Sequence, residues 1–132
     1  MEISHIDHVN FHVPPDATEA AREFYVEKLG QELVNVDAYE SGEKPFFTVH
    51  LAPEHVLHLW PTEEFEPPDE PNFNHVALVV DATMEELDEA LEEAGVPVER
   101  EHEGLTGAIG EGASAYVRDP FGYQLELKAG RS

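Results

Sequence analysis

The sequence predicts an α+β fold in which two tandem βαβββ modules form one curved, mixed eight-stranded sheet around a cleft. The first observation is a repeat, because the apolar segment that begins at His8 returns at His75. The second is the order of patterns after each histidine: strand, helix, glycine and three further strands in both halves. The third is spacing, since His58 follows His8 by 50 residues and Glu126 follows His75 by 51. The halves are therefore offset by 67 or 68 residues, as expected of one module present twice.

The first half contains the patterns of a strand, a helix and three more strands. Apolar residues alternate along 5–13 and predict a strand that ends at two prolines. Asp16 stands three residues before Glu19, which is the spacing of a capping box and predicts the start of a helix. Gly30 is placed to end that helix. Further strands are predicted near 31–38, 46–52 and 55–60.

The second half repeats these patterns. Residues 74–80 predict a strand, and Thr83 with Glu86 forms a second capping box before a helix that ends at Gly95. Pro120 and Gly122 suit a tight turn between the last two strands. A glycine-rich segment at 104–112 lacks the features of a phosphate loop and is interpreted as a mobile flap or a hairpin loop. The last three strands are predicted to begin at 96–98 and to lie at 114–118 and 123–128.

The chain length predicts a single domain made of module 1 (1–60), a proline-rich connector (61–73) and module 2 (74–132). Four prolines make the connector extended and stiff. We therefore expect modules to pair between chains in a homodimer, with His8 and His58 supplied by one subunit and His75 and Glu126 by the other.

The charge balance excludes some partners. Twenty-nine acidic residues against 7 lysines and arginines give a net charge of −22, which disfavours nucleic acid and anionic membranes. The acidic residues are spread along the chain instead of forming one block. We therefore interpret the charge as the hydrated surface of a halophilic protein, from a salty cytoplasm, in preference to a site for a cationic partner. The absence of cysteine excludes a disulfide framework and thiolate metal ligands. No secretory or membrane-spanning pattern is present, so a cytoplasmic location is expected.

Three imidazoles and one carboxylate occupy the matched positions of the repeat: His8, His58, His75 and Glu126. Polar groups that interrupt apolar strands need a partner, and one divalent cation would satisfy all four. This ligand set suits Fe²⁺, Mn²⁺, Ni²⁺ or Zn²⁺. A histidine taken alone is more often an ordinary hydrogen-bonded residue, and His58 is interpreted either as a ligand or as a donor behind the ligands.

Strand periodicity places three further residues beside the predicted ligands. Asn10 and His12 share a strand face with His8, and Trp60 shares a face with His58. We expect Asn10 and His12 to contact a substrate and Trp60 to form an apolar wall. Glu126 is the candidate catalytic residue, because a carboxylate that loosens from a metal regains its basicity.

The sequence resembles the vicinal oxygen chelate superfamily, which includes glyoxalase I, extradiol catechol dioxygenases, fosfomycin-resistance enzymes and bleomycin-resistance proteins. The resemblance covers almost the whole chain and rests on Asp7-His8-Val9, Phe24-Tyr25 before Leu29-Gly30, Asn74-His75-Val76, and Arg118–Gly122 running into Leu125-Glu126-Leu127. It implies metal ligands at His8, His58, His75 and Glu126. Glyoxalase I usually has a carboxylate at the position of His58, so the resemblance does not identify that enzyme.

Three functions follow from the resemblance. With four protein ligands, two open metal positions would chelate a small metabolite through adjacent oxygens, which slightly favours glyoxalase-like lyase or isomerase chemistry. If His58 is not a ligand, a third open position would permit an Fe²⁺ extradiol-type dioxygenase. The alternative from another class is a metal-free small-molecule binding protein like the bleomycin-resistance members, for which the acidic surface and Trp60 would suit a basic aromatic ligand.

Overall fold

The computed structural model describes residues 1–2, 4–69, 72–107 and 110–131, and it describes no side chains at 104–111. The chain divides into two compact units, unit 1 at Met1–Glu66 and unit 2 at Pro67–Ser132. No helix in the described part of the chain has the length and apolar character needed to cross a bilayer.

Unit 1 contains one four-stranded sheet with the strand order β1-β4-β3-β2. Strand β1 runs parallel to β4, whereas the β3–β4 and β2–β3 pairs are antiparallel. The elements are β1 (His8–Val13), α1 (Thr18–Ala21) continuing as a π-helix (Arg22–Lys28), β2 (Glu32–Val34), α2 (Val36–Glu40), β3 (Phe47–Ala52) and β4 (His55–Pro61).

Unit 2 contains a sheet of the same design, with the strand order β5-β8-β7-β6. Strand β5 runs parallel to β8, and the other two pairs are antiparallel. The elements are β5 (Val76–Val80), α3 (Met84–Ala94), β6 (Arg100–Gly107), β7 (Gly110–Arg118) and β8 (Gln124–Ala129). Both units have the βαβββ order with mixed strand directions, with the short helix α2 added between β2 and β3 of unit 1. The predicted fold class is therefore confirmed, with the described strands in two four-stranded sheets.

The two predicted capping boxes have different outcomes. Thr83 accepts a hydrogen bond from the Glu86 amide at 3.2 Å, and Glu86 accepts one from the Thr83 amide at 3.0 Å, so the second box is confirmed. The first box, from Asp16 to Glu19, is wrong. Ala17 is the N-terminal cap, without a side-chain hydrogen bond, and its backbone is already helical. An N-cap side chain needs an extended backbone to reach the first amides, so Asp16 lies one residue too early.

Several strand boundaries also differ from the sequence prediction, and two of the differences have a clear physical reason. The strand predicted at 31–38 stops at Val34, because Asn35 adopts a left-handed conformation (φ 66°) and α2 follows directly. Asparagine tolerates this conformation better than most residues. The strand predicted to begin at 96–98 begins at Arg100, after Pro97, which has no amide hydrogen to contribute to a ladder.

The glycine-rich segment at 104–112 belongs to a hairpin. Strand β6 runs to Gly107 and β7 starts at Gly110, with a register shift between His102 and Leu105. Residues 108 and 109 of this segment lie outside the described residues. The predicted tight turn at 119–122 is present, since the Asp119 carbonyl accepts a hydrogen bond from the Gly122 amide at 3.2 Å.

The alternation of burial along the strands separates the core from the candidate site. In β1, Phe11 and Val13 are buried, whereas His8, Asn10 and His12 are exposed. In β4, Leu57 and Leu59 are buried between residues that are only partly covered. Each fully buried side chain of this size stabilises the fold by about 1.5–3 kcal/mol. The core residues thus fix which strand face carries the polar residues.

Candidate metal centre

The strand register places the two candidate ligands of each unit at the same relative position. In unit 1, Asn10 is opposite His58 in the β1–β4 pair. In unit 2, Ala77 is opposite Glu126 in the β5–β8 pair. In both units the first histidine therefore lies two residues before the partner of the second candidate ligand. The two candidate ligands thus have the same relative placement in both units, as the repeat in the sequence predicts.

In unit 1 the two imidazoles are stacked. The ring centroids of His8 and His58 are 4.1 Å apart, with 22° between the ring planes. The Nδ1 atom of His8 lies 2.8 Å from Asp7 Oδ2. Because a carboxylate only accepts hydrogen bonds, Nδ1 carries the proton and donates it, so neutral His8 has its lone pair on Nε2. Burial, and the repulsion from His8 whenever that ring is protonated, lower the pKa of His58 against the opposing effect of Asp7. The lowered pKa favours the neutral form that binds metals.

In unit 2 an imidazole faces a carboxylate. His75 Nε2 lies 3.1 Å from Glu126 Oε1, and His75 Nδ1 lies 2.6 Å from Asn74 Oδ1. When Nδ1 donates to the Asn74 oxygen, neutral His75 turns a nitrogen lone pair toward a carboxylate oxygen. In that tautomer the contact needs a cation between or beside the two atoms, and a metal ion would supply it. The donor set of unit 2 therefore fits a divalent metal as well as a protonated histidine.

Glu126 is held in its ionised form by two hydroxyl groups. Ser114 Oγ donates to Oε2 at 2.7 Å, and Tyr116 Oη donates to Oε1 at 2.8 Å. Burial alone would raise the pKa of Glu126, whose exposed fraction is 6%, but these hydrogen bonds and the charges of His75 and Lys128 outweigh it and lower the pKa. The carboxylate is thus negatively charged and fixed in orientation, as a metal ligand requires.

Ser114 and Tyr116 were missed at the level of sequence. They lie in β7, opposite Lys128 and Glu126 in the antiparallel register. Their only signal in the sequence is the alternation of polar residues with Ala115 and Val117, and all four side chains are buried. Burial and the hydrogen bond to Glu126 raise the pKa of Tyr116, although Arg100 opposes this, so the phenol stays protonated and keeps donating.

The predicted substrate-contacting residues lie on the strand faces expected of them. Asn10 and His12 are exposed on the same side of β1 as His8. Trp60 is half-buried and stacks on Phe46, with ring centroids 5.4 Å apart and 11° between planes. The ring centroids of Phe46 and His58 are 4.5 Å apart. Phe46, which the sequence did not single out, thus joins Trp60 to the predicted ligand in one row of rings.

Each unit brings together two of the four predicted ligands. Within either unit, the described residues form no group of three His, Asp or Glu side chains that could hold a metal ion. A single site made of all four residues therefore stays a prediction. A separate polar depression of about 550 Å³ in unit 1 contains none of the predicted site residues; it is lined by Arg22, Leu33, Asn35, Val36, Asp37, Ala38 and Glu43.

The fold and the paired ligand positions define a class of protein, and comparison with known proteins identifies it. Residues 5–127 match the Glyoxalase/Bleomycin resistance protein/Dioxygenase superfamily, and the chain belongs to this family. Among curated proteins it is 37% identical over 68 residues to "Glutathione transferase FosA" of Serratia marcescens, a match that covers 51% of this chain and 44% of that protein.

Solved structures share the fold along the whole chain. Virulence protein STM3117 from Salmonella typhimurium is 27% identical, with a TM-score of 0.74 and 98% of each chain covered. Lactoylglutathione lyase from Agrobacterium tumefaciens is 22% identical, with a TM-score of 0.68, 98% of this chain covered and 96% of the other. The second comparison shows the fold alone.

Proposed function

We propose that this protein is a divalent-metal-dependent enzyme that binds a small metabolite through adjacent oxygens and carries out glyoxalase-like lyase or isomerase chemistry. The observation that carries the proposal is the contact of His75 Nε2 with Glu126 Oε1 at 3.1 Å, in which the carboxylate is ionised and held by two hydroxyls. Family membership supports a small-molecule substrate. The similarity over 68 residues to a protein named as a glutathione transferase supports chemistry without net oxidation.

In this proposal His8, His58, His75 and Glu126 hold the metal. The ion, one of Fe²⁺, Mn²⁺, Ni²⁺ or Zn²⁺, would supply Lewis acidity toward the substrate oxygens. Ser114 and Tyr116 keep the Glu126 carboxylate oriented, because each of its oxygens accepts one of their hydrogen bonds. Glu126 is the proposed proton acceptor, while Asn10, His12 and Trp60 are proposed to contact the substrate.

The role of His58 separates lyase or isomerase chemistry from dioxygenase chemistry. The lowered pKa of His58 favours the neutral imidazole that acts as a ligand, which supports the redox-neutral reaction. The test compares oxygen consumption by the Fe²⁺-loaded protein on catechols with turnover of adducts between 2-oxoaldehydes and thiols. We expect turnover of the adducts without oxygen uptake. Rapid catechol-dependent oxygen uptake would instead establish the dioxygenase alternative.

A metal-free binding protein is the second candidate, and the stacked pair of Phe46 and Trp60 favours it. In a chain of net charge −22, half-buried aromatic rings that keep part of their surface open to solvent suit a planar cation. Calorimetry with a cationic aromatic compound separates the candidates. Tight binding to metal-free protein that is lost in the Trp60→Ala variant supports the binding protein, whereas binding that requires a divalent metal supports the enzyme.

We also propose that the chain is one cytoplasmic domain with module 1 at 1–60, a connector at 61–73 and module 2 at 74–132, and that it forms a homodimer with exchanged modules. The support is that each unit holds two of the four ligands. The test mixes a chain lacking His8 and His58 with a chain lacking His75 and Glu126. An exchanged dimer regains one complete metal site on mixing, whereas modules that pair within one chain regain none.

A further inference from the structure

Arg100 lies close to the candidate metal-binding residues of unit 2. Its Cζ atom is 4.1 Å from the centroid of the Tyr116 ring, and its Nη1 atom donates a hydrogen bond to Gln124 Oε1 at 3.2 Å. Gln124 in turn donates to the Asn74 backbone oxygen at 3.1 Å, next to His75. The guanidinium is therefore fixed at two points, one strand away from the side chain that orients Glu126.

The groups that hold Arg100 are neutral. Among the described residues, Arg100 has no carboxylate partner within ion-pair distance, although the chain contains 29 acidic residues. By contrast, Arg118 on β7 pairs with Glu99 at 3.0 Å. The side chain of Arg100 is exposed, so solvent reaches it. The guanidinium is thus held in place and accessible to solvent, and an anion could pair with it.

A second cation lies on the same side of Glu126's sheet. Lys128 is opposite Ser114 in the β7–β8 register, two residues beyond Glu126, and its exposed fraction is 4%. Its stem passes over Gly112, where a Cβ would lie 3.4 Å from Lys128 Cε. Only 7 lysines and arginines occur in the sequence. One of them, Arg100, lies over the ring of Tyr116, and another, Lys128, acts electrostatically on the Glu126 carboxylate. The positive charges of Arg100 and Lys128 oppose, at this place, the repulsion that a protein of net charge −22 exerts on an anion.

We propose that Arg100 binds an oxyanion of the substrate, so that the substrate class is a small metabolite that carries a carboxylate or phosphoryl group in addition to its chelating oxygens. The planar guanidinium matches both groups, because its N–H donors can contact two oxygens at once. Lys128 adds to the positive potential without being the contact residue. This inference rests on the proposed enzymatic function, since it names the substrate of the same site.

The test measures oxyanion binding to the metal-free protein. The ¹⁵N signal of Arg100 Nε is followed during titration with inorganic phosphate and, in a separate titration, with acetate, both at constant ionic strength. The variant is Arg100→Gln, observed through the Tyr116 and Gln124 signals, and the matched control is Arg118→Gln, which removes the same charge from a paired arginine. We expect saturable binding to the native protein and to the control, and roughly tenfold weaker binding to Arg100→Gln. Tighter binding of acetate indicates a substrate with a carboxylate, and tighter binding of phosphate indicates a substrate with a phosphoryl group.

Two results would overturn the inference: no saturable binding of either probe to the native protein, or equal affinity in all three proteins. Zn²⁺ binding measured in parallel keeps this result separate from the proposed function. Arg100→Gln is expected to bind Zn²⁺ as the native protein does. If the native protein binds oxyanions but no divalent metal, the metal enzyme is refuted and the oxyanion site stands.

Discussion

Removal of the Tyr116 hydroxyl tests how Glu126 is held. Tyr116 is 5% exposed and donates to Glu126 Oε1 at 2.8 Å, so Tyr116→Phe deletes one buried hydrogen bond to an ionised group and keeps the ring. Such a bond contributes about 1.5–3 kcal/mol. At roughly 4 °C per kcal/mol for a chain of this size, the melting temperature of the metal-free protein should fall by about 6–12 °C.

The same variant should also weaken metal binding. Residues that orient a ligand commonly change metal affinity by about 10–100-fold when removed. Calorimetry with Zn²⁺ and thermal unfolding followed by circular dichroism measure the two effects. Tyr39→Phe is the control, because it also deletes a phenol hydrogen bond, to the Pro15 carbonyl at 3.3 Å, in unit 1. If Tyr116→Phe changes neither the melting temperature nor the Zn²⁺ affinity beyond the control, the Tyr116 hydroxyl does not hold Glu126 as described.

Three further predictions concern the site and the fold. Asn74→Ala removes the side-chain oxygen that lies 2.6 Å from His75 Nδ1. Calorimetry should show about tenfold weaker Zn²⁺ binding, with the melting temperature little changed. Zn²⁺ affinity equal to that of the native protein would contradict an orienting role for Asn74. Thr83→Ala removes the capping box of α3 and should cost about 1 kcal/mol in urea unfolding, and no change in the denaturation midpoint would contradict the cap. The lowered pKa of Glu126 contributes stability that is present above its unfolded pKa of about 4.3 and is lost as the pH falls through the folded value. Glu126→Gln should therefore flatten the acid side of the stability profile, and an unchanged profile would exclude this contribution.

Much of the fold was predictable because the chain repeats itself. Strand alternation around His8 and His75, and the Thr83 capping box, depend on local patterns that tertiary packing leaves intact. The start of α1 was not predictable from Asp16, since the backbone at Ala17 decides where the cap lies. The same holds for α2, which depends on the left-handed conformation of Asn35.

The positions of the candidate ligands were predictable from the sequence, but the residues that surround them and hydrogen-bond to them were not. The repeat identified the positions of His58 and Glu126 because they match in both modules. Ser114 and Tyr116 could not be identified, because only the β7–β8 register brings their hydroxyls to Glu126. Arg100 was missed for a similar reason, since its position over Tyr116 depends on the pairing of β6 with β7.

Metal stoichiometry is the most direct test of the central claim. Protein purified without chelator and without oxygen is analysed for divalent metals beside His75→Ala and a control, His55→Ala, which alters an exposed histidine at the start of β4. We expect one divalent ion per site in the native protein and the control, and loss of the ion in His75→Ala. Full metal occupancy in His75→Ala would contradict it.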